Sequence, residues 1–368
     1  MDRARDCAAH YGHAARGETD IKTAIEPRSA GARRSTRPKL PWPEDRNFNI
    51  LCVDGGGIKG ILPAAFLAGL ERQLPEGTAL ADYFDLLAGT STGGIVTLGL
   101  GVGRSAQDIL DLYVDRGGEI FPPSRYAKLR LLFAGFRRPV FDRHTLDRIL
   151  EQAFGNAGFW EVNTRMCVPA VEGEYGEVHI YKTPHHPDYR RDWRRSVVDV
   201  ARATSAAPVY LEAVEQSGYA LVDGGLFAND PVMVALIDAL ACFDVPRDRI
   251  RILSLGCLKD AWNLHDVQSL GKGWLAWTLR AYEVTGSLQS QNAQGQAGLL
   301  IGPENILRID APQPKRRISL DDWRRARAEL PGIADLLLRE YSDRAHQMFF
   351  ERTVEGYTPV YSPEHPPA

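Results

Sequence analysis

The sequence has little cysteine, no long apolar run and no excess of charge of either sign. Five cysteines occur in 368 residues, at positions 7, 52, 167, 242 and 257, and no C-x-x-C pair is among them. An odd number at long spacings excludes a disulfide framework or a zinc ribbon. Cys52 and Cys257 lie in apolar runs and read as small buried side chains, which suits a reducing compartment. The longest apolar stretches, such as residues 61–70, are about ten residues, well short of the ~20 that span a bilayer. The first twenty residues show neither an apolar signal core nor a glycine at position 2, so neither secretion nor myristoylation is expected and a cytoplasmic location is. Lys and Arg number 44 against 47 Asp and Glu, a net charge of −3. A dedicated binder of nucleic-acid polymers would carry a basic excess, and this chain does not.

What is present is ordinary for a globular protein: 44% hydrophobic and 25% charged residues, with 34 Gly and 23 Pro. Residues 1–46 are polar, basic between Arg28 and Lys39, and end in the proline-rich RPKLPWPEDR, so they read as a disordered or arm-like segment. Strand-like runs follow at FNILCV (48–53), FDLLAG (84–89), RMCVPAVE (165–172), EVHIYKT (177–183), YALVDGG (219–225) and RIRILSLG (249–256). Helical patterns separate them at 61–74, 105–117, 144–154, 195–204 and 230–242, and further helices are expected at 274–295 and 321–350. Apolar strands alternating with helices predict a mostly parallel sheet covered on both faces. A single α/β domain over residues 47–355 is expected, with a tail at 356–368.

Three local patterns carry chemistry. Gly89-Thr90-Ser91-Thr92-Gly93 is a G-x-S-x-G motif between a strand and an apolar helix. That is the context in which a sharp turn exposes a serine hydroxyl near a helix N-terminus. Composition alone gives about 0.13 such matches in a chain of this length, so the placement matters more than the pattern. Asp54-Gly55-Gly56-Gly57-Ile58-Lys59-Gly60 follows the first strand. Its bare backbone amides suit an oxyanion hole, and Gly55, Gly57 and Gly60 also satisfy G-x-G-x-x-G. Dinucleotide binding needs in addition an acid ending a second strand about 20 residues on, and Glu76 lies in a turn instead. Asp223-Gly224-Gly225 ends another strand. An acid at the carboxyl end of an α/β strand reaches the crevice where such sheets bind ligands.

Together with ARATSAAPVY (201–210) and RILSLG (251–256), these motifs resemble the patatin-like phospholipase family over about residues 48–310. The resemblance implies a three-layer α/β/α fold and a lipid acyl hydrolase with a Ser-Asp dyad. Ser91 matches the nucleophile, Asp223 the acid, and Gly55, Gly56 and Gly57 the oxyanion loop. Lys59 matches a basic position with structural or phosphate-facing work, and Asp54, Gly60, Gly89, Gly93 and Gly224 match the supporting motif positions. No cofactor or metal is implied. His185-His186, in the proline-flanked TPHHPDY, reads as a solvated pair.

The implied substrate is membrane phospholipid, met by peripheral contact. Two other readings stay open. An α/β-hydrolase triad in the chain order Ser, Asp, His would use His265 or His346. A non-catalytic lipid or nucleotide sensor would keep the fold without the chemistry. The basic, aromatic stretch 124–143, with Arg137 and Arg138, reads first as a helix or loop half packed on the core with its arginines in water, and alternatively as a lid or interfacial patch. GKGWLAW (271–277) and SLQSQNAQGQ (287–296) are read as pocket-lining or packing segments. Some bacterial members resembling this chain are switched on by cyclic nucleotides in phage defence, so a cyclic-nucleotide activator is expected as well.

Overall fold

The computed structural model describes residues 37–122, 139–259 and 274–367. Most of the expected arm, the 124–138 part of the basic patch, residues 271–273 and His265 fall outside them.

One eight-stranded sheet organises the chain. Its strands are β1 (Phe48–Val53), β2 (Leu86–Gly89), β3 (Arg165–Glu172), β4 (Glu177–Lys182), β5 (Val214–Gln216), β6 (Tyr219–Asp223), β7 (Ile250–Leu255) and β8 (Ile306–Ile309). The order is β5-β6-β3-β2-β1-β7-β8, with β4 paired to β3 off this path. The centre, β3-β2-β1-β7-β8, is parallel, whereas β4, β5 and β6 join by antiparallel pairing. β1 and β2 are buried throughout, as expected for strands covered on both faces. Alternation along β1 divides the core. Ile50 and Cys52 face a cluster with Trp42, Val232 and Leu236, while Leu51 and Val53 face one with Ile61, Phe66 and Phe349. The result is a three-layer α/β/α architecture with a mostly parallel central sheet.

The helices are α1 (Ile61–Glu71), α2 (Thr92–Gly101), α3 (Ala106–Ile120), α4 (Arg143–Phe154), α5 (Val197–Thr204), α6 (Gly225–Ala228), α7 (Val232–Cys242), α8 (Trp274–Ile301) and α9 (Trp323–Phe349). Local chemistry sets several starts. Ser105 and Ser196 each accept from the amide three residues on and form capping boxes with Asp108 and Asp199. Asp142 and Asp322 cap α4 and α9 with their carboxylates.

The proline-rich end of the expected arm is part of the fold. Trp42 is 9% exposed and packs its ring on Phe48 and Phe243, and Leu40 exchanges backbone hydrogen bonds with Cys242 and Asp244. Prolines and charges in RPKLPWPEDR suggested a solvated segment, but Trp42 and Leu40 seat it together with the Arg37–Asp188 and Arg46–Asp85 pairs. The tail is held similarly. Tyr361 is buried, its hydroxyl donates to the Pro187 carbonyl, and Val360 N–H donates to Pro184.

Candidate active site

Two strands running in opposite directions bring Ser91 and Asp223 together. β2 pairs with the first part of β3, Ala88 opposite Cys167. β6 pairs with the last part, Asp223 opposite Ala170. β4 occupies the other edge of β3, so β2 rising and β6 descending lie end to end along one edge. Their carboxyl ends meet in the gap. The sequence reading placed Asp223 at the carboxyl end of a strand in a mostly parallel sheet. The position holds, but the strand is antiparallel, and it reaches the site only because β3 extends beyond β2.

Ser91 caps α2 with φ 56 and ψ −121, a conformation costly for any residue with a side chain. The turn can form because the two motif glycines make room. A Cβ at Gly89 would lie 2.1 Å from the Gly93 carbonyl oxygen, and one at Gly93 would lie 2.1 Å from the carbonyl oxygen of Val53. Hydrogen bonds hold the turn from several elements. Ser91 N–H donates to Thr204 Oγ1 at 2.9 Å, Thr204 Oγ1 donates to Pro169, and Thr90 Oγ1 donates to Ala228.

Asp223 is completely buried. Its Oδ1 accepts from Gly225 N–H at 2.7 Å, whereas Oδ2 has no hydrogen bond of ordinary geometry. Burial pushes its carboxyl up to about 6, with the Ser91 hydroxyl and the Gly225 amide drawing it back. The hydroxyl thus senses the carboxylate without closing a tight bond onto it, the loose geometry common in unliganded catalytic pairs.

The glycine loop stands over this pair, with a Cβ on Gly55 placed 3.4 Å from Ser91 Cβ. Gly55 needs correcting as an oxyanion donor, because its N–H is taken by the Asn229 carbonyl at 2.9 Å. The Gly56 and Gly57 amides have no hydrogen-bond partner among the described residues. Gly57 has φ +58, and Ile58 N–H is tied to the Leu320 carbonyl. Lys59 is 6% exposed and lines the cavity. Among the described residues its ammonium has neither a carboxylate at salt-bridge distance nor a hydrogen-bond acceptor.

Ser91, Asp223 and the glycine loop open on a cavity of ≈ 650 Å³. Its lining combines apolar side chains, among them Ile95, Phe121, Leu146 and Leu211, with polar ones, among them Lys59, Ser287, Gln291 and Arg308. SLQSQNAQGQ therefore does contribute pocket lining. Among the described residues no histidine lines the cavity. His346 is on α9, bound through Nε2 to Gln73.

Sequence reasoning missed a half-buried ionic cluster beside the loop. Arg308 donates from Nη1 to Asp54 Oδ1 at 2.9 Å and from Nη2 to Asp54 Oδ2 at 2.6 Å. It also meets Asp310 at 2.9 Å and Asp230 at 3.3 Å. One guanidinium serves three acids. Burial, with Asp230 and Asp310 nearby, pushes the Asp54 carboxyl up and Arg308 draws it back, and both its oxygens accept from the arginine as an ionised carboxylate does.

His185 and His186 also need correcting, since they are 3% and 0% exposed. His185 Nε2 pairs with Asp238 Oδ2 at 2.7 Å, and His186 Nε2 with the Pro38 carbonyl at 2.8 Å. His185, Asp238 and Cys242 lie close enough together to hold a metal ion. Lys182 Nζ already occupies Asp238 Oδ1 at 2.5 Å, and a cation there would have to displace that ammonium. The donor set therefore fits an internal ion pair, with burial opposed by His185 and Lys182 leaving Asp238 well below the usual carboxylate range.

A family model described as "Patatin-like phospholipase" matches residues 51–236. The chain belongs to the patatin-like phospholipase family. It is accordingly a lipid hydrolase. A cGAMP-activated phospholipase of Vibrio cholerae is 33% identical over 274 residues, 68% of this patatin-like chain and 76% of that protein. One of Pseudomonas aeruginosa is 32% identical over 265 residues, 72% of this chain and 78% of that one. Patatin-like protein 2 of Arabidopsis thaliana is 34% identical over 212 residues, 51% of each. The crystal structure of VipD from Legionella pneumophila aligns over 87% of this chain and 73% of that one at 12% identity and a TM-score of 0.40, too loose a likeness to argue from. Among its described residues, no helix of this family member is long and apolar enough to cross a membrane.

Proposed function

We propose that the chain cleaves fatty acyl esters of membrane phospholipids through an acyl-enzyme on Ser91, with Asp223 as its general base. The observation that carries the reading is a strained serine facing a buried carboxylate whose Oδ2 is unpaired, beside unengaged backbone amides. Asp223 takes the hydroxyl proton as Ser91 Oγ bonds to the acyl carbon. The Gly56 and Gly57 amides receive the negative charge on the carbonyl oxygen. Asp223 then returns the proton to the departing lysophospholipid oxygen. Water enters and gives a proton to Asp223 while its oxygen attacks the acyl carbon. Ser91 Oγ leaves and is reprotonated, and the fatty acid is freed. Burial suits Asp223 to this work, because a carboxyl near 6 is a stronger base than an ordinary one.

Lys59 is assigned the lipid phosphate. A buried ammonium with no protein anion gains most from one that the substrate brings. The apolar side chains of the lining take the acyl chain. Membrane contact in this reading is peripheral, and the stretch 124–143 is its candidate patch. The bacterial relatives are named cGAMP-activated phospholipases, and by that likeness we extend activation by a cyclic dinucleotide to this chain; a role in phage defence rests on the family resemblance alone. The catalytic unit in this reading includes α8, β8 and α9.

The test is lipid analysis of phospholipid vesicles treated with wild type or Ser91→Ala, with and without cGAMP. Free fatty acid and lysophospholipid are expected from wild type alone, and more with the nucleotide. Equal release by Ser91→Ala would overturn the assignment of the nucleophile, and indifference to cGAMP would remove the activation.

A further inference from the structure

The glycine loop is fastened at its first residue from outside the segment that the family model matches. Asp54 opens the loop and is 3% exposed, and both its carboxylate oxygens are held by Arg308 of β8. Arg308 is itself held, Nη1 by Ser254 Oγ at 2.8 Å and Nη2 by Asp310. The next link is Gly55, whose N–H is fixed by the Asn229 carbonyl. Asn229 and Asp230 are in turn tied to α8. Gln289 bonds Asp230 at both its N–H and its carbonyl, and Gln294 Nε2 donates to Asp230 Oδ2 at 2.6 Å and to Ser254 Oγ at 2.8 Å. Arg308, Gln289 and Gln294 all lie beyond residue 236, where the match ends.

Resting on the assignment of Ser91 as nucleophile, we propose that Arg308 is a positioning residue for the reaction. Acting through Asp54, it aims the Gly56 and Gly57 amides at the carbonyl oxygen of the ester. The physical reason is rigidity. Oxyanion donors work because they are already oriented when charge develops, and a loop of three consecutive glycines has no side-chain packing of its own to orient it. A bidentate arginine–carboxylate pair fixes direction as well as distance. Three carboxylates around one arginine are a poor arrangement for stability alone, since Asp54 and Asp230 are buried and each adds desolvation cost. The Arg308–Asp54 pair holds the loop at its first residue, and the Asn229 carbonyl holds it at the next. Arg308 and Asp54 also line the cavity, so the positioning role is read in turnover: it predicts that removal of the pair lowers kcat per site while KM holds.

The experiment measures kcat and KM on a soluble p-nitrophenyl acyl ester for wild type, Arg308→Met and Arg308→Lys. Active sites are counted by exhaustive fluorophosphonate labelling, which removes misfolded molecules from the rate. Arg46→Met serves as comparison. It breaks a buried pair with Asp85 at a residue that does not line the cavity. Expected for Arg308→Met is a kcat loss of about 10²-fold per labelled site, the size of one lost oxyanion donor, with KM within about threefold. Arg308→Lys should recover part of that loss, and Arg46→Met should keep wild-type kcat. Unchanged kcat per site in Arg308→Met would overturn the positioning role. So would equal losses in Arg308→Met and Arg46→Met, or a loss confined to KM. Should Arg308→Met yield no folded protein, Arg308→Lys decides by the same criterion, wild-type kcat counting against the proposal. Ser91→Ala, run alongside, separates the two claims: if it stays active, the nucleophile assignment has failed rather than the role of Arg308.

Discussion

Ser91 stands in a left-handed backbone conformation with its hydroxyl turned toward Asp223, whose buried Oδ2 has no hydrogen bond of ordinary geometry. Both features are unfavourable in a resting protein. A strained φ at a non-glycine residue costs of order 1–3 kcal/mol, and a buried unpaired carboxylate oxygen costs a comparable amount. Neither helps the fold, and each is what proton transfer from an alcohol to a carboxylate requires.

Strain at Ser91 predicts that glycine is tolerated better than alanine. Ser91→Gly should be more stable than Ser91→Ala by about 1 kcal/mol, because only glycine is at ease at φ 56. Both should lose activity by at least about 10³-fold. Chemical denaturation of the two variants checks this, and equal stabilities would remove the strain argument.

The raised carboxyl of Asp223 predicts a pH profile. The residue must be ionised to accept a proton, so kcat/KM should fall about tenfold per pH unit below about 6 and level off above it. Asp223→Asn should eliminate that limb together with activity.

The same shift affects stability. The folded state keeps the Asp223 proton up to about pH 6, while an unfolded chain releases it near pH 4. Stability therefore falls as pH rises through that window, and a deficit of roughly 3 kcal/mol persists at neutral pH. Asp223→Asn should unfold at higher temperature than wild type at pH 7.5, with the gap narrowing toward pH 4. Calorimetry at both pH values checks it.

Lys59→Gln should separate substrates. Hydrolysis of phosphate-bearing lipid should fall more than tenfold, corresponding to loss of one charge-assisted contact, while a neutral soluble ester should be cleaved at near the wild-type rate. Equal losses on both would show that Lys59 acts on the loop and not on the phosphate.

What could be read in the sequence was local. β1 and β3 were read to the residue, because continuous apolar runs and their flanking glycines carry their own signal. The turn at Ser91 was readable for the same reason, since the glycines that make room for it are its neighbours. Asp223 was found through its glycines and its place at a strand end, while the antiparallel register that brings β6 to the site was not readable. β5 and β8, of 3 and 4 residues, are too short to show alternation. The Asp54–Arg308 pair joins positions 254 apart, and nothing near either marks the other. His185 and His186 were misread because prolines and polar neighbours describe a turn, whereas their burial comes from Asp238 and Pro38, brought in by distant segments.

The central claim is that Ser91 carries the acyl group and that a carboxylate, without histidine, activates it. Trapping decides it most directly: wild type, Asp223→Asn and His346→Ala are mixed with a slowly deacylated ester, quenched in acid, and analysed by peptide mass spectrometry. An acyl adduct on the peptide containing Ser91 is expected in wild type and His346→Ala, and none in Asp223→Asn. An adduct on another residue, or one that depends on His346 and survives in Asp223→Asn, would contradict the account.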